Sequence, residues 1–405
     1  MYTLLYADNE GHIYDAPGYP AWGRTGNQNI SLEKIDMITL PEGANIMYLP
    51  GRKAMGERDD TPGLAVAAIL PAGYTRTYLP AFKLAKDAPQ LPLYGYTAVA
   101  FKNDRFYVAA IKTDEGSKWN PMRFNTGKLK KLVKAKLRQY PQNRIFQQLA
   151  HCSLNYHCCT AQNVFYERWE AGIPVSPTCN ARCFGCISLQ PSECCPSPQQ
   201  RINFIPSVEE ITQVMADHLR HAPEAIISFG QGCEGEPSLQ ADQIAKAILL
   251  TRQQTDRGLI NINTNAGNTK GIKAICEAGL NSMRVSLISA RTELYNAYYN
   301  PSGYTLEDVL ASIRVAKGCG VYVSLNLLVF PGVTDRTEEV ESLKNLIADT
   351  GLDMIQMRNL NADPDELMRV MPPTFSKTIG IAAFIAQLKT DFPNLTIGSY
   401  SRYVK

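Results

Sequence analysis

An α/β fold is expected for this chain: a partial (βα)6 barrel preceded by a small β-rich N-terminal domain. Three observations carry that expectation. From about residue 172 onward, short apolar runs alternate with helix-length amphipathic segments, the pattern of a parallel sheet joined by crossover helices. Before about residue 140 the apolar runs are short, β-like and broken by Pro and Gly. A tight group of cysteines then falls directly after the first strand of the alternating region, where a barrel places reactive groups.

The N-terminal runs lie at 45–49, 63–70, 96–102 and 105–112, and Lys102, Asn103, Asp104 and Arg105 read as a hairpin turn between the last two. Residues 128–138 place Lys128, Lys130, Lys131, Lys134, Lys136 and Arg138 around Leu129, Leu132, Val133 and Leu137, which is helical periodicity with one basic face. A solvated face is the simple reading; docking of an acidic partner or RNA is the sharper one. Tyr140 to Asn143 mark a boundary. The resulting division is a β-rich N-terminal domain with the basic helix over 1–140, a cysteine-containing linker over 141–171 and the partial barrel over 172–400.

Within the barrel, strands are expected at 173–176, 225–229, 259–263, 283–287, 321–329 and 354–357. Helices are expected at 207–220, 239–253, 269–279, 305–318, 336–349 and 376–389. Thr305 with Asp308 resembles a capping box, followed by an apolar face of Leu306, Val309, Leu310 and Ile313.

Composition narrows the function classes. The chain has 405 residues, 45% hydrophobic and 20% charged, with a formal charge of only +3, so no global basic field points to nucleic acid or an anionic membrane. No uninterrupted apolar run approaches the roughly eighteen residues of a membrane span, and residues 1–8 lack a basic region and a cleavage site. A soluble cytoplasmic protein without a membrane partner is therefore expected. Of the 11 cysteines, those at 152, 158, 159, 179, 183, 186, 194, 195 and 233 crowd into one stretch. In a reducing compartment such crowding favours metal or cluster ligation over disulfides.

Cys179, Cys183 and Cys186 form a CxxxCxxC loop. Three thiolates can wrap one cubane and leave one iron open, whereas four would saturate it. A zinc site, or an electron-transfer cluster with a fourth cysteine, is the alternative for the motif alone. Four later strand ends carry Glu234-Gly235-Glu236-Pro237, Asn263-Thr264-Asn265-Ala266, Ser286-Leu287-Ile288-Ser289 and Leu325-Asn326-Leu327-Leu328-Val329-Phe330.

Over roughly residues 172–360 these motifs resemble the radical S-adenosylmethionine (SAM) superfamily, as in an uncharacterised member with an N-terminal extension. The resemblance implies a [4Fe-4S] cluster on Cys179, Cys183 and Cys186, with SAM chelating the fourth iron. Reductive cleavage of SAM would then give a 5′-deoxyadenosyl radical acting on an undetermined substrate, with SAM consumed as oxidant or recycled. It implies SAM contacts by Gly235, Glu236 and Pro237, where Glu234 replaces the family's first glycine, and by Thr264, Asn265, Ser286 and Ser289. Val329 would contact the adenine, and Arg358 the substrate or the SAM carboxylate. A reductant such as flavodoxin or ferredoxin is implied as partner.

The remaining cysteines suggest more. Cys152, Cys158, Cys194 and Cys195 offer an auxiliary iron-sulfur cluster or zinc site, with free thiols as the other reading and His151 and His157 as further zinc donors. Cys233, beside the Glu-Gly-Glu-Pro element, is a candidate catalytic hydrogen-atom donor, and Cys276 and Cys319 read as core. The substrate is a small molecule, a peptide or an RNA; the polymeric reading is favoured if the basic helix lines the barrel opening. A scaffold or electron carrier without SAM turnover is the rival of another class.

Overall fold

Alternation along seven strands decides the architecture of the C-terminal part. In a computed structural model that describes residues 1–56, 60–115, 125–190, 197–373 and 376–404, one parallel sheet is built from Glu170–Gly172, Ile226–Phe229, Leu259–Thr264, Ser282–Leu287, Tyr322–Val329, Met354–Asn359 and Thr396–Gly398, adjacent in that order. Successive side chains of a strand point to opposite faces. One face carries Ile227, Phe229, Ile260, Ile262, Val285, Leu325, Leu327 and Ile355, which are buried in a single apolar core with the crossover helices. The other face carries Ser228, Asn261, Asn263, Arg284, Ser286, Asn326, Gln356 and Arg358. A sheet whose inner face were packed solid would need branched apolar residues there. This one surrounds a polar chamber instead.

The first strand lies earlier than the sequence suggests, at Glu170–Gly172, extended by one bond from Ile173 N to the Ser228 carbonyl. Pro174 has no N–H to continue the ladder, and the N–H groups of Val175 and Ser176 turn to the Glu234 carboxylate at 2.8 and 3.1 Å. A seventh strand, Thr396–Gly398, was not anticipated; three residues are too few to show a period. It does not pair with the first strand, so the sheet is not closed into a barrel. The seam is instead bridged by Ser401, which donates to Glu170 at 2.6 Å and contacts Arg284.

Helices Val208–His221, Ala241–Arg252, Thr269–Glu277, Leu306–Gly318, Thr337–Thr350 and Ile381–Asp391 match the amphipathic segments. The Thr305–Asp308 capping box forms, as does a second one from Ser207 and Glu210. Two short helices, Thr292–Tyr299 and Pro364–Val370, are additional. The segment read as a linker holds helices Arg144–Asn155 and Cys159–Tyr166, whose Phe146, Leu149 and Phe165 join the main core.

Residues up to 112 form antiparallel sheets of nine, three and two strands. The hairpin at Lys102–Arg105 has Asn103 at φ 49° and Asp104 at φ 56°, the paired left-handed conformation that suits a two-residue turn. This β-rich part clasps the ends of the fifth and sixth parallel strands. Arg76, fully buried, donates to the carbonyls of Leu360 at 2.8 Å and Val329 at 3.3 Å, and Arg52 pairs with Asp363 at 2.7 Å. The basic helix spans Leu129–Gln139, and its Lys136 is buried between Asp217 at 2.6 Å and Glu167 at 3.0 Å. Among the described residues, no helix is long and apolar enough to cross a membrane.

Candidate active site

The cysteine loop is held from two sides. On one side Gly235 N donates to Ser176 O at 2.7 Å and Glu236 N to Thr178 O at 2.8 Å. Only glycine suits position 235, because a Cβ there would come within 1.9 Å of the Thr178 carbonyl. On the other side Arg182 N and Phe184 N each donate at 2.9 Å to the carbonyls of Tyr299 and Tyr298, at the end of a short helix. The loop backbone is thus fixed by protein hydrogen bonds alone.

The three thiols are partly buried and within electrostatic range of one another, and they differ in character. Burial, aided by the Glu236 carboxylate, pushes Cys179 up to about 11. Burial and the two neighbouring thiols raise Cys183 further. Burial also opposes ionisation of Cys186, but hydrogen bonding with Ser188 and the nearby Arg201 outweighs it and lowers that pKa. Arg201 donates to Cys186 Sγ at 3.5 Å and to Ser188 Oγ at 2.8 Å. Among the described residues no further cysteine lines the adjacent cavity beside Cys183 and Cys186, and Cys152 and Cys233 interact electrostatically with each other instead. The donor set therefore fits a three-cysteine cubane with one open iron.

The Glu-Gly-Glu-Pro turn carries two buried carboxylates with separate tasks. Glu234 accepts from Val175, Ser176 and Gly230 N–H groups, tying the first strand's exit to the second. Burial still pushes its carboxyl up to about 8 against those donors. Gly230, at φ 78°, is the other obligate glycine: a Cβ would meet the Asn263 carbonyl at 1.7 Å. Glu236 accepts from Asn265 N at 2.8 Å, Ser238 N at 2.9 Å and the Thr264 hydroxyl, and Pro237 opens the short 3₁₀ turn that follows.

Between the cysteine loop and the polar sheet face lies a cavity of about 620 Å³. Cys183, Gly185, Cys186 and Gly235 border it on one side, and Asn263, Arg284, Ser286, Asn326 and Arg358 on another. Tyr298, Tyr299, Ala72 and Tyr400 complete parts of the wall. Ala72 belongs to the N-terminal β-rich part, and Tyr400 Oη donates to its carbonyl at 2.7 Å.

The anticipated site residues separate into two groups. Gly235, Ser286 and Arg358 border the cavity with Cys183 and Cys186. Glu236, Thr264 and Asn265 form a buried tie between the second and third loops, and Asn265 Nδ2 reaches Asn180 of the cysteine loop at 2.7 Å. Ser289 instead donates to Glu339 at 2.6 Å. Val329 does not line the cavity: it alternates onto the apolar face and is buried in the helix-covered core. Cys233 likewise turns from the large cavity to a smaller one of about 150 Å³, shared with Cys158, and its thiol interacts electrostatically with Cys152.

Cys194 and Cys195 lie outside the described residues. Cys319 is exposed rather than core, whereas Cys276 is buried. The exposed His151 hydrogen-bonds Asn155 at 2.7 Å. The basic helix does not contribute to the lining of the large cavity.

Several residues of the site escaped sequence reasoning. Glu170, Arg284 and Asn326 line the cavity beside the anticipated strand-end Asn263, and the polar half of the strand alternation is a period-2 signal visible in Ile-Asn-Ile-Asn and Met-Arg-Val-Ser-Leu. No local signal marks Arg201, which approaches Cys186 from 15 residues away.

The three-cysteine loop, two of whose thiols border a polar chamber on a mixed α/β fold with a parallel sheet, offers a donor set for a metal or cluster. Residues 173–346 match the family model described as the Radical SAM superfamily. Over that span, which is less than half of the chain, the sequence matches the radical SAM superfamily, and the match supports a radical SAM enzyme of unspecified substrate. Similar solved structures include native anSMEcpe with bound AdoMet (18% identity over 47% of this chain and 50% of that one, TM-score 0.38). Methylornithine synthase is 18% identical over 65% of this chain and 77% of that one, with TM-score 0.38. SuiB from Streptococcus suis bound to S-adenosylmethionine is 11% identical over 68% of this chain and 61% of that one, with TM-score 0.40. This chain thus spans half of the first of these proteins. No curated protein sequence matches.

Proposed function

We propose that the chain carries a [4Fe-4S] cluster on Cys179, Cys183 and Cys186, cleaves SAM reductively, and directs the radical at a small molecule held in the chamber. The parallel sheet then serves as the partial barrel of such an enzyme, with the β-rich N-terminal part as a side wall. The observation that carries the reading is the convergence of three mutually interacting thiols, two of which, Cys183 and Cys186, border a polar cavity of about 620 Å³. When bound, the cluster supplies the electron for SAM cleavage and an open iron for chelation.

The protein's own groups position and shield. Arg201 favours the thiolate of Cys186 and so its metal-binding form. Glu236 holds the second and third loops together under the SAM region, leaving Ser286 and Gly235 at the cavity wall. Tyr299 Oη is buried and has no hydrogen-bond partner among the described residues, which suits donation to a bound ligand. The separation of the basic helix from the lining supports a small substrate over RNA or peptide. An external reductant, such as flavodoxin or ferredoxin, completes the cycle.

Anaerobic reconstitution followed by iron analysis and equilibrium dialysis of SAM tests this assignment. About four irons per chain and SAM binding that disappears in Cys183→Ala support it; full SAM binding by the iron-free Cys183→Ala protein contradicts it.

A further inference from the structure

We propose that the chamber contains an anion subsite, centred on Arg358 with Asn326, Gln356 and Arg284, that seats a carboxylate or phosphate of the substrate. The proposal deepens the functional reading above and rests on it for calling the ligand a substrate. Arg358 borders the cavity, and its guanidinium donates only to neutral side chains: Nε to Asn326 Oδ1 at 3.2 Å and Nη2 to Gln356 Oε1 at 3.2 Å. Among the described residues no carboxylate lies within ion-pair distance of it. The two that interact with it at longer range are engaged elsewhere. Glu170 accepts from Ser228 and Ser401, each at 2.6 Å, and pairs with Arg284 at 3.4 Å. Asp114 pairs with Arg402 at 3.0 Å and accepts Ser399 N at 2.8 Å.

Counting charges, Arg284 is matched by Glu170 and Asp114 by Arg402, and Arg358 is left over. Arg358 is half-buried; a partly desolvated cation without a counter-ion is costly, and a ligand that brings the anion recovers part of that cost. Arg284 adds a second cation to the wall; it is 8% exposed, and its Nε has no partner among the described residues. The planar guanidinium fork matches a carboxylate or phosphate in a bidentate manner.

Direction separates this subsite from the cofactor. Arg358 donates to Gln356, two residues back on its own strand, so the guanidinium reaches down the sheet, away from the cysteine loop. Leu360 and Asn361, beyond Arg358, are the residues that approach Gly185 of that loop. SAM held at the loop would leave the Arg358 layer beneath it for the reacting molecule. The cavity volume, about 620 Å³, suits small ligands of this kind.

Isothermal titration of the reconstituted, desalted holoenzyme with inorganic phosphate and with acetate, each with and without saturating SAM, tests the proposal. Saturable binding of either anion is expected, retained with SAM bound, at least tenfold weaker in Arg358→Gln and intermediate in Arg358→Lys, which keeps the charge but loses the bidentate fork. Complete displacement by SAM would assign the arginines to the cofactor's carboxylate and overturn the proposal, as would absence of saturable binding in the native protein. Equal binding by Arg358→Gln would also overturn it. The displacement arm needs no variant, so a folding defect does not obscure it. Measuring SAM binding and 5′-deoxyadenosine in the same preparation keeps the two readings apart: SAM cleavage without anion binding defeats the subsite alone, and anion binding by a cluster-loaded protein that neither binds nor cleaves SAM supports the subsite and defeats the radical reading.

Discussion

One oxygen of Glu236 accepts the Asn265 backbone N–H at 2.8 Å, fastening the loop after the second parallel strand to the loop after the third. Its other oxygen accepts Ser238 N at 2.9 Å and the Thr264 hydroxyl. Replacing Glu236 by Ala strands these buried donors. Glu236→Ala should lose roughly 2 to 4 kcal/mol of stability, and Glu236→Gln less, because its amide oxygen still accepts. Urea denaturation of the two variants measures the difference.

Glu234 predicts a pH dependence. The folded protein holds its carboxyl proton up to about pH 8, whereas the unfolded chain releases it near the ordinary value of 4.5. The stability tied to this group is complete at acid pH and is lost as the pH rises from there toward 8. Melting temperatures of native protein and Glu234→Gln, compared between pH 5 and 8.5, should therefore diverge in slope, the native falling more steeply. Parallel curves would show that Glu234 is ionised throughout.

The helices and the strand order were largely legible because their signals are local: a capping box at Thr305, an apolar stripe, a Gly or Pro at each boundary. The cysteine loop was legible for the same reason. What was not legible depends on distance along the chain. Val329 looked like a cofactor contact from its place in a motif, but strand parity turns it to the helix-covered core. Cys233 stands beside the Glu-Gly-Glu-Pro turn, yet its thiol meets Cys152, from a helix in the segment read as a linker. Arg201, Arg76 and Asp363 act through contacts that no window of sequence contains.

Arg201 gives a chemical prediction for the metal-free protein. Cys186 is lowered, while Cys179 is raised to about 11 and Cys183 is raised as well. Brief iodoacetamide treatment at pH 7.5, read by peptide mass spectrometry, should label Cys186 before the other two. In Arg201→Leu, labelling of Cys186 should slow several-fold. First labelling at Cys179 or Cys183 would count against this ordering.

Arg52 and Asp363 form an ion pair with both side chains almost wholly buried, and Asp363 also accepts Leu91 N at 2.9 Å. Removing one partner leaves an uncompensated charge. Asp363→Ala should cost about 3 to 5 kcal/mol and loosen the β-rich part from the sixth parallel strand. Hydrogen exchange of the Leu91 amide and of residues 74–76, which bond to Asn359 and Leu360, reports that loosening directly.

Formation of 5′-deoxyadenosine is the decisive measurement. The reconstituted protein, given SAM and dithionite under anaerobic conditions, is compared by mass spectrometry with a variant in which Cys179, Cys183 and Cys186 are all replaced by Ala. The native protein should produce 5′-deoxyadenosine and the variant none; a fully loaded native protein that neither binds SAM nor forms the product would contradict the assignment.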